Sequence, residues 1–144
     1  MPDPGAEFKE IIMKAIALLG RILFSLIFLV SSVGHFSAQT IKYAASQGVP
    51  LANVLVPASG ILAAAGALSI ILGYKAQIGA WLIVIFLLPV TLMMHQFWAV
   101  GDPGMQQMQL AMFMKNISML GGALLISYFG SGPLSIDQKY TANV

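Results

Sequence analysis

Residues 52–73 read ANVLVPASGILAAAGALSIILG and residues 76–98 read AQIGAWLIVIFLLPVTLMMHQFW, with only Tyr74 and Lys75 between them. Neither stretch contains Asp, Glu, Lys or Arg. A hydrocarbon layer of about 30 Å is crossed by about 20 helical residues, and each run is long enough. In lipid every backbone N–H and C=O must find a partner inside the chain, so both runs are expected to be helical. A two-residue link sends the second helix straight back along the first. The pair reads as a membrane-crossing helical hairpin.

Two more runs flank it. Residues 15–36 read AIALLGRILFSLIFLVSSVGHF, and residues 108–130 read MQLAMFMKNISMLGGALLISYFG. No segment alternates polar and apolar residues with a period of two, which excludes a membrane barrel. The expected fold is all-α: a four-transmembrane-helix bundle, antiparallel and up-down-up-down. About 15 residues join spans one and two, and a polar loop over residues 99–107 joins spans three and four. Pro89 is expected to kink the third span. Residues 1–14 read as an amphipathic lead-in, 15–137 as the membrane domain and 138–144 as a tail. In the lead-in, Glu7, Glu10 and Lys14 share one face and Phe8, Ile11, Ile12 and Ala15 the other, as in a helix that lies at the interface or continues span one outward.

Composition agrees. Of 144 residues, 58% are hydrophobic and 8% charged, against about a quarter charged in soluble domains. Cysteine is absent, which removes disulfides, thiolate nucleophiles and Fe–S ligation. A net charge of +2, thinly spread, does not fit nucleic-acid binding. No cleavable signal peptide is expected. Lys9, Lys14, Lys75 and Lys139 fall on the side of the termini and Lys42 on the other, so the termini are expected to be cytoplasmic.

Ionisable groups inside a membrane are costly, and so informative. Four stand out: Arg21, His35, His95 and Lys115. No Asp or Glu lies within the spans, which argues against a proton pump or a di-iron carboxylate site. Arg21 either snorkels to lipid phosphates or holds an anion or carbonyl ligand inside the bundle. Lys115, with Asn116 beside it on another azimuth, either ties helices together or faces a ligand, and Asp102 is its nearest candidate counter-charge. His35 and His95 both fall at the far ends of their spans. With Gln109, Trp98, Lys115 and Asn116 they would form one polar cluster able to hold a quinone headgroup or another small ligand. The plainer alternative is an interfacial belt with Phe97 and Trp98. Bis-histidine haem ligation is conceivable but has no other support, and no metal site is expected. Met93 and Met94 beside His95, and Met105, Met108 and Met112 on one face, read as fillers of uneven apolar gaps rather than Cu(I) ligands.

Small residues crowd the second span (Ser59, Gly60, Ala63 to Ala67, Ser69) and part of the fourth (Gly121, Gly122, Ala123), which suits close helix packing. Gly20-Arg21, the run ending in Gly34-His35-Phe36, His95-Gln96-Phe97-Trp98, Phe113-Met114-Lys115-Asn116 and the segment 132–137 (GPLSID) together resemble the DoxX family over residues 17–137. That resemblance implies a bacterial inner-membrane four-helix protein, with relatives attached to a thiosulfate:quinone oxidoreductase. Family members often carry Lys at the position of His35, Gly at that of Ser32 and Glu near Ala63, so the family's usual counter-charge for Arg21 and Lys115 is missing here.

With no nucleophile, embedded carboxylate or cofactor motif, the expected function is a non-catalytic accessory subunit or scaffold, in contact with lipid and with either a larger membrane complex or further copies of itself as a homo-oligomer. The alternative is a quinone-linked redox component. A transporter is disfavoured because no broken-helix repeat is visible.

Overall fold

The structure is a computed structural model that describes residues 3–141. Helix α1 runs from Pro4 to Gly34, α2 from Ala38 to Ser46, α3 from Ala52 to Leu72 and α4 from Ala76 to Met94. A 3-10 turn at Phe97–Ala99 leads to α5, Pro103–Phe129, and the short α6, Ile136–Thr141. No strand occurs among the described residues, and α1, α3, α4 and α5 are long and apolar enough to cross a membrane. The four-span bundle is therefore as the sequence reads. α1 packs on α3, α3 on α4 and α4 on α5.

Local chemistry sets the helix starts. Asp3 accepts from Gly5 N–H at 2.9 Å ahead of Pro4, and Asp102 accepts from Met105 N–H at 2.8 Å ahead of Pro103. Proline at the first helical position gives up no hydrogen bond there. The cap makes α5 begin at Pro103, so the polar loop is shorter than the sequence suggests. Asp102 is thus a helix cap rather than a partner for Lys115. The lead-in is the outer part of α1, with no break at residue 14. The short tail helix begins before residue 138, and residues 142–144 lie outside the described set.

The core contains Phe28 of α1, Ala63, Ala67 and Ile70 of α3, Ala80, Ile83 and Leu87 of α4, and Ala123 of α5. The α3–α4 pair approaches most closely where both helices carry glycine. A Cβ on Gly66 would stand 2.8 Å from the Gly79 carbonyl oxygen, so only hydrogen fits. Gly60 does the same against α1, where a Cβ would lie 2.7 Å from His35 Cβ. With lipid as solvent, this backbone proximity supplies the dispersion contacts that hold helices together. Gly122 faces Phe24 of α1, whereas Gly121 has open space before it. Most of α5 is exposed, with only Asn116 and Ala123 buried.

Candidate functional site

At the end of the bundle away from Arg21 lies a cavity of about 610 Å³. α2 and the link to α3 roof it through Thr40, Tyr43, Ala44, Val49 and Pro50; α3 and α4 wall it; His35 and His95 both line it. The sequence reading missed α2, which is only nine residues long. Ser37 caps it, accepting from Thr40 N–H at 3.2 Å. Leu55 of α3 and Ile85 of α4 line the cavity and are also exposed, so it opens sideways between those helices.

Both imidazoles are held by their Nδ1 atoms. His35 Nδ1 lies 2.9 Å from the Ser31 carbonyl oxygen, which only accepts, so Nδ1 carries the hydrogen. His95 Nδ1 lies 2.9 Å from Gln109 Oε1 of α5. Donation through Nδ1 leaves the Nε2 of each neutral ring as a bare acceptor. The His35 ring also packs against Phe86, with centroids 5.6 Å apart. The remaining walls are almost entirely apolar and include Met93 and Met94.

The other candidates stand elsewhere. Trp98 is exposed and stacks edge-on with Phe97 and Phe113. Lys115 is exposed on the outer face of α5, its Nζ 3.5 Å from Met112 Sδ. Asn116 turns inward and is buried, yet does not line the cavity. No cluster of three His, Cys, Asp or Glu residues able to hold a metal occurs among the described residues.

Arg21 is at the opposite end and is buried. Its guanidinium donates to the carbonyl oxygens of Ser131 and, at 2.7 Å, Leu134. The acceptors are backbone groups of this chain, a contact that neither sequence reading anticipated. Asp137 stands near enough to act on Arg21 electrostatically. The Asp137 carboxylate accepts from Lys75 N–H at 2.9 and 3.0 Å and from the Ser131 hydroxyl at 2.5 Å. α4 has no capping side chain of its own, so Asp137 caps it from a distance. The Ser131 hydroxyl, then the Lys75 amide, hold the Asp137 carboxyl below its ordinary value. Gly73 completes the latch. Its φ is +62°, its carbonyl accepts from Asp137 N–H at 3.0 Å, and any Cβ would strike Arg21 and Ser135. Sequence reasoning missed Gly73, Ser131 and Asp137, because their partners lie up to 110 residues away.

Comparison with known proteins corrects the family. The chain is 31% identical over 123 residues to the inner membrane protein YqjF of Escherichia coli (strain K12), covering 84% of this chain and 88% of that protein. It is 29% identical over 129 residues to the inner membrane protein YphA of the same organism, covering 85% and 88%. No solved structure matches. The family model that matches is SURF4, over residues 6–142, and this overturns the DoxX resemblance. Arg21 and the segment 132–137 meet in the latch and His95 lines the cavity, roles that do not single out DoxX. The chain is an integral membrane protein of the SURF4 family.

Proposed function

We propose that this protein is a non-catalytic binding component of the bacterial inner membrane, which holds a polar-headed apolar molecule in the cavity between α2, α3 and α4. One observation carries the reading: two histidines, each fixed through Nδ1, line one cavity of about 610 Å³ whose surface is mostly apolar. That volume lies within the range of small-molecule sites, whose pattern is apolar walls with a few converging polar groups. The side opening suits a ligand arriving from lipid. A quinone-type ring is the ligand class that the two imidazoles and the apolar walls accommodate. The inner-membrane placement rests on what YqjF and YphA are named. The excess of lysine on the side of the termini supports cytoplasmic ends.

The test is mass spectrometry of an organic extract from protein purified in mild detergent. The expected result is one apolar species at near-stoichiometric amount, reduced about ten-fold by His35→Ala with His95→Ala, as for two lost hydrogen bonds. Leu62 of α3 also lines the cavity, and Leu62→Trp, which fills it, should displace the molecule altogether. Equal retention by all three proteins, or no retained molecule, overturns the reading.

A second reading, an accessory subunit docked on a larger complex, is supported by α5. Lys115, Ser118 and Gly121 are exposed along its outer side, within the span. A charge at that depth gains from a carboxylate on a neighbouring subunit. Comigration with larger subunits on a native gel, lost in Lys115→Leu, is the expected result; migration as a free small protein contradicts it.

A further inference from the structure

The bundle ends at Arg21, yet α1 does not. Arg21 is level with the Gly73–Lys75 turn and with residues 131–137, which close that end. From there to its far end, α4 has 19 residues, about 28 Å of helix, close to the thickness of a hydrocarbon core. Residues 4–20 of α1 therefore run about 25 Å beyond this latched end of the bundle. Along this overhang Phe8, Ile11, Ile12, Ile16 and Leu19 are all exposed, Phe8 at 66%.

The azimuths of these residues are not arbitrary. Eighteen residues make about five helical turns, so residues eighteen apart point the same way. Asp3, Glu7, Glu10 and Lys14 stand eighteen residues before Arg21, Ser25, Phe28 and Ser32, the four buried positions of α1. Phe8 and Ile12 stand eighteen before Leu26 and Val30, which are exposed on the lipid side of the bundle. The polar face of the overhang thus continues the bundle-facing side of α1, and its apolar face continues the lipid-facing side. Glu10 and Lys14 pair on the polar face at 2.6 Å.

This register fixes what a bend would do. When a helix leaving the membrane tips outward, the side that looked at lipid turns to face the membrane plane. Any other direction of tipping would leave the apolar side in water. Gly20 directly precedes the anchored Arg21, and a Cβ there would meet nothing within 4 Å, so nothing packs on that position. After proline, glycine is the residue that supports a helix interior least.

We infer that residues 4–19 bend outward at Gly20 and lie in the lipid headgroup region on the side of the termini, apolar face in the acyl boundary. Such a helix has a hydrophobic side and a strongly charged side. Lys9 stands eighteen residues before exposed Ile27, where its stem can lie on lipid with the ammonium at phosphate level. The occupant of the apolar stripe is the bilayer that already surrounds α1.

The chain has no cysteine, so single-cysteine variants need no background removal. Phe8→Cys, Ile12→Cys, Glu10→Cys and Lys14→Cys are labelled with an environment-sensitive fluorophore and reconstituted in vesicles of phosphatidylethanolamine and phosphatidylglycerol. Some vesicles carry nitroxide high on the acyl chain. Val30→Cys serves as the lipid-facing control and Lys139→Cys as the water-facing one. At positions 8 and 12 the emission should shift to the blue and lose most of its intensity to the nitroxide; positions 10 and 14 should behave like 139. Labels at 8 and 12 as water-exposed as those at 10 and 14 overturn the inference. So does protection at 8 and 12 that is indifferent to nitroxide lipid and accompanied by a disulfide between two Ile12→Cys copies, because a second chain would then be the occupant.

Discussion

Arg21 shows how a buried charge can close one end of a membrane bundle without a carboxylate in the spans. A buried cation needs acceptors, and two carbonyl oxygens meet the planar fork of guanidinium donors. Arg21→Met should leave the Ser131 and Leu134 carbonyls without that partner, at about 1–3 kcal/mol each, read as a lower melting temperature in detergent. Arg21→Lys should recover only part of the loss, because an ammonium lacks the fork. Gly73→Ala combines a left-handed backbone with a collision on the latch, and should destabilise by about 1–3 kcal/mol. For Asp137 the folded state lowers the carboxyl's affinity for protons, so between the folded and unfolded values the unfolded chain binds more protons and stability rises with pH. The Asp137 contribution should therefore be complete at neutral pH and fade below about pH 4, the ordinary carboxylate range. A melting series against pH should show that acid limb, and Asp137→Asn should lose it. At this scale Arg21 was legible as an intramembrane cation. Its acceptors were not, because a backbone carbonyl has no residue type to announce it.

Among the elements, the hairpin of α3 and α4 was fully legible, since two uncharged runs and a two-residue link leave no other arrangement in lipid. Gly66 and Gly79 set how closely the two helices pack. Gly66→Val should overpack that contact by about 1–3 kcal/mol, lowering the melting temperature while leaving the number of spans unchanged. α2 was invisible to a reading based on spans, because nine residues of mixed polarity have neither the length nor the hydropathy of one. Its cap, Ser37, was there to be seen. Ser37→Ala should fray α2 by about 1 kcal/mol, detectable as faster amide exchange over residues 40–46, and should loosen the roof of the cavity. Lys115 and Asn116 were read on different azimuths and yet in one polar cluster. One helical step of about 100° instead sends Lys115 outward and Asn116 inward. Sequence neighbours on a helix are poor candidates for a shared site.

The whole molecule has two unlike ends. One is closed by a latch of Arg21, Gly73, Ser131 and Asp137; the other opens beneath α2 into an apolar cavity with His35 and His95 in its lining. The stiff end fixes the helices in place, and the open end is where a ligand has room. The class of molecule was legible from composition alone, since 8% charge leaves lipid as the only solvent. The family was not, because glycines at close approaches and histidines at span ends answer demands common to membrane bundles. The most direct test of this two-ended arrangement is labelling of single-cysteine variants with an impermeant thiol reagent in sealed vesicles of known orientation. His35→Cys and His95→Cys should react from one face, and Lys75→Cys and Lys139→Cys from the other. Reaction of positions 35 and 95 from opposite faces would contradict the account.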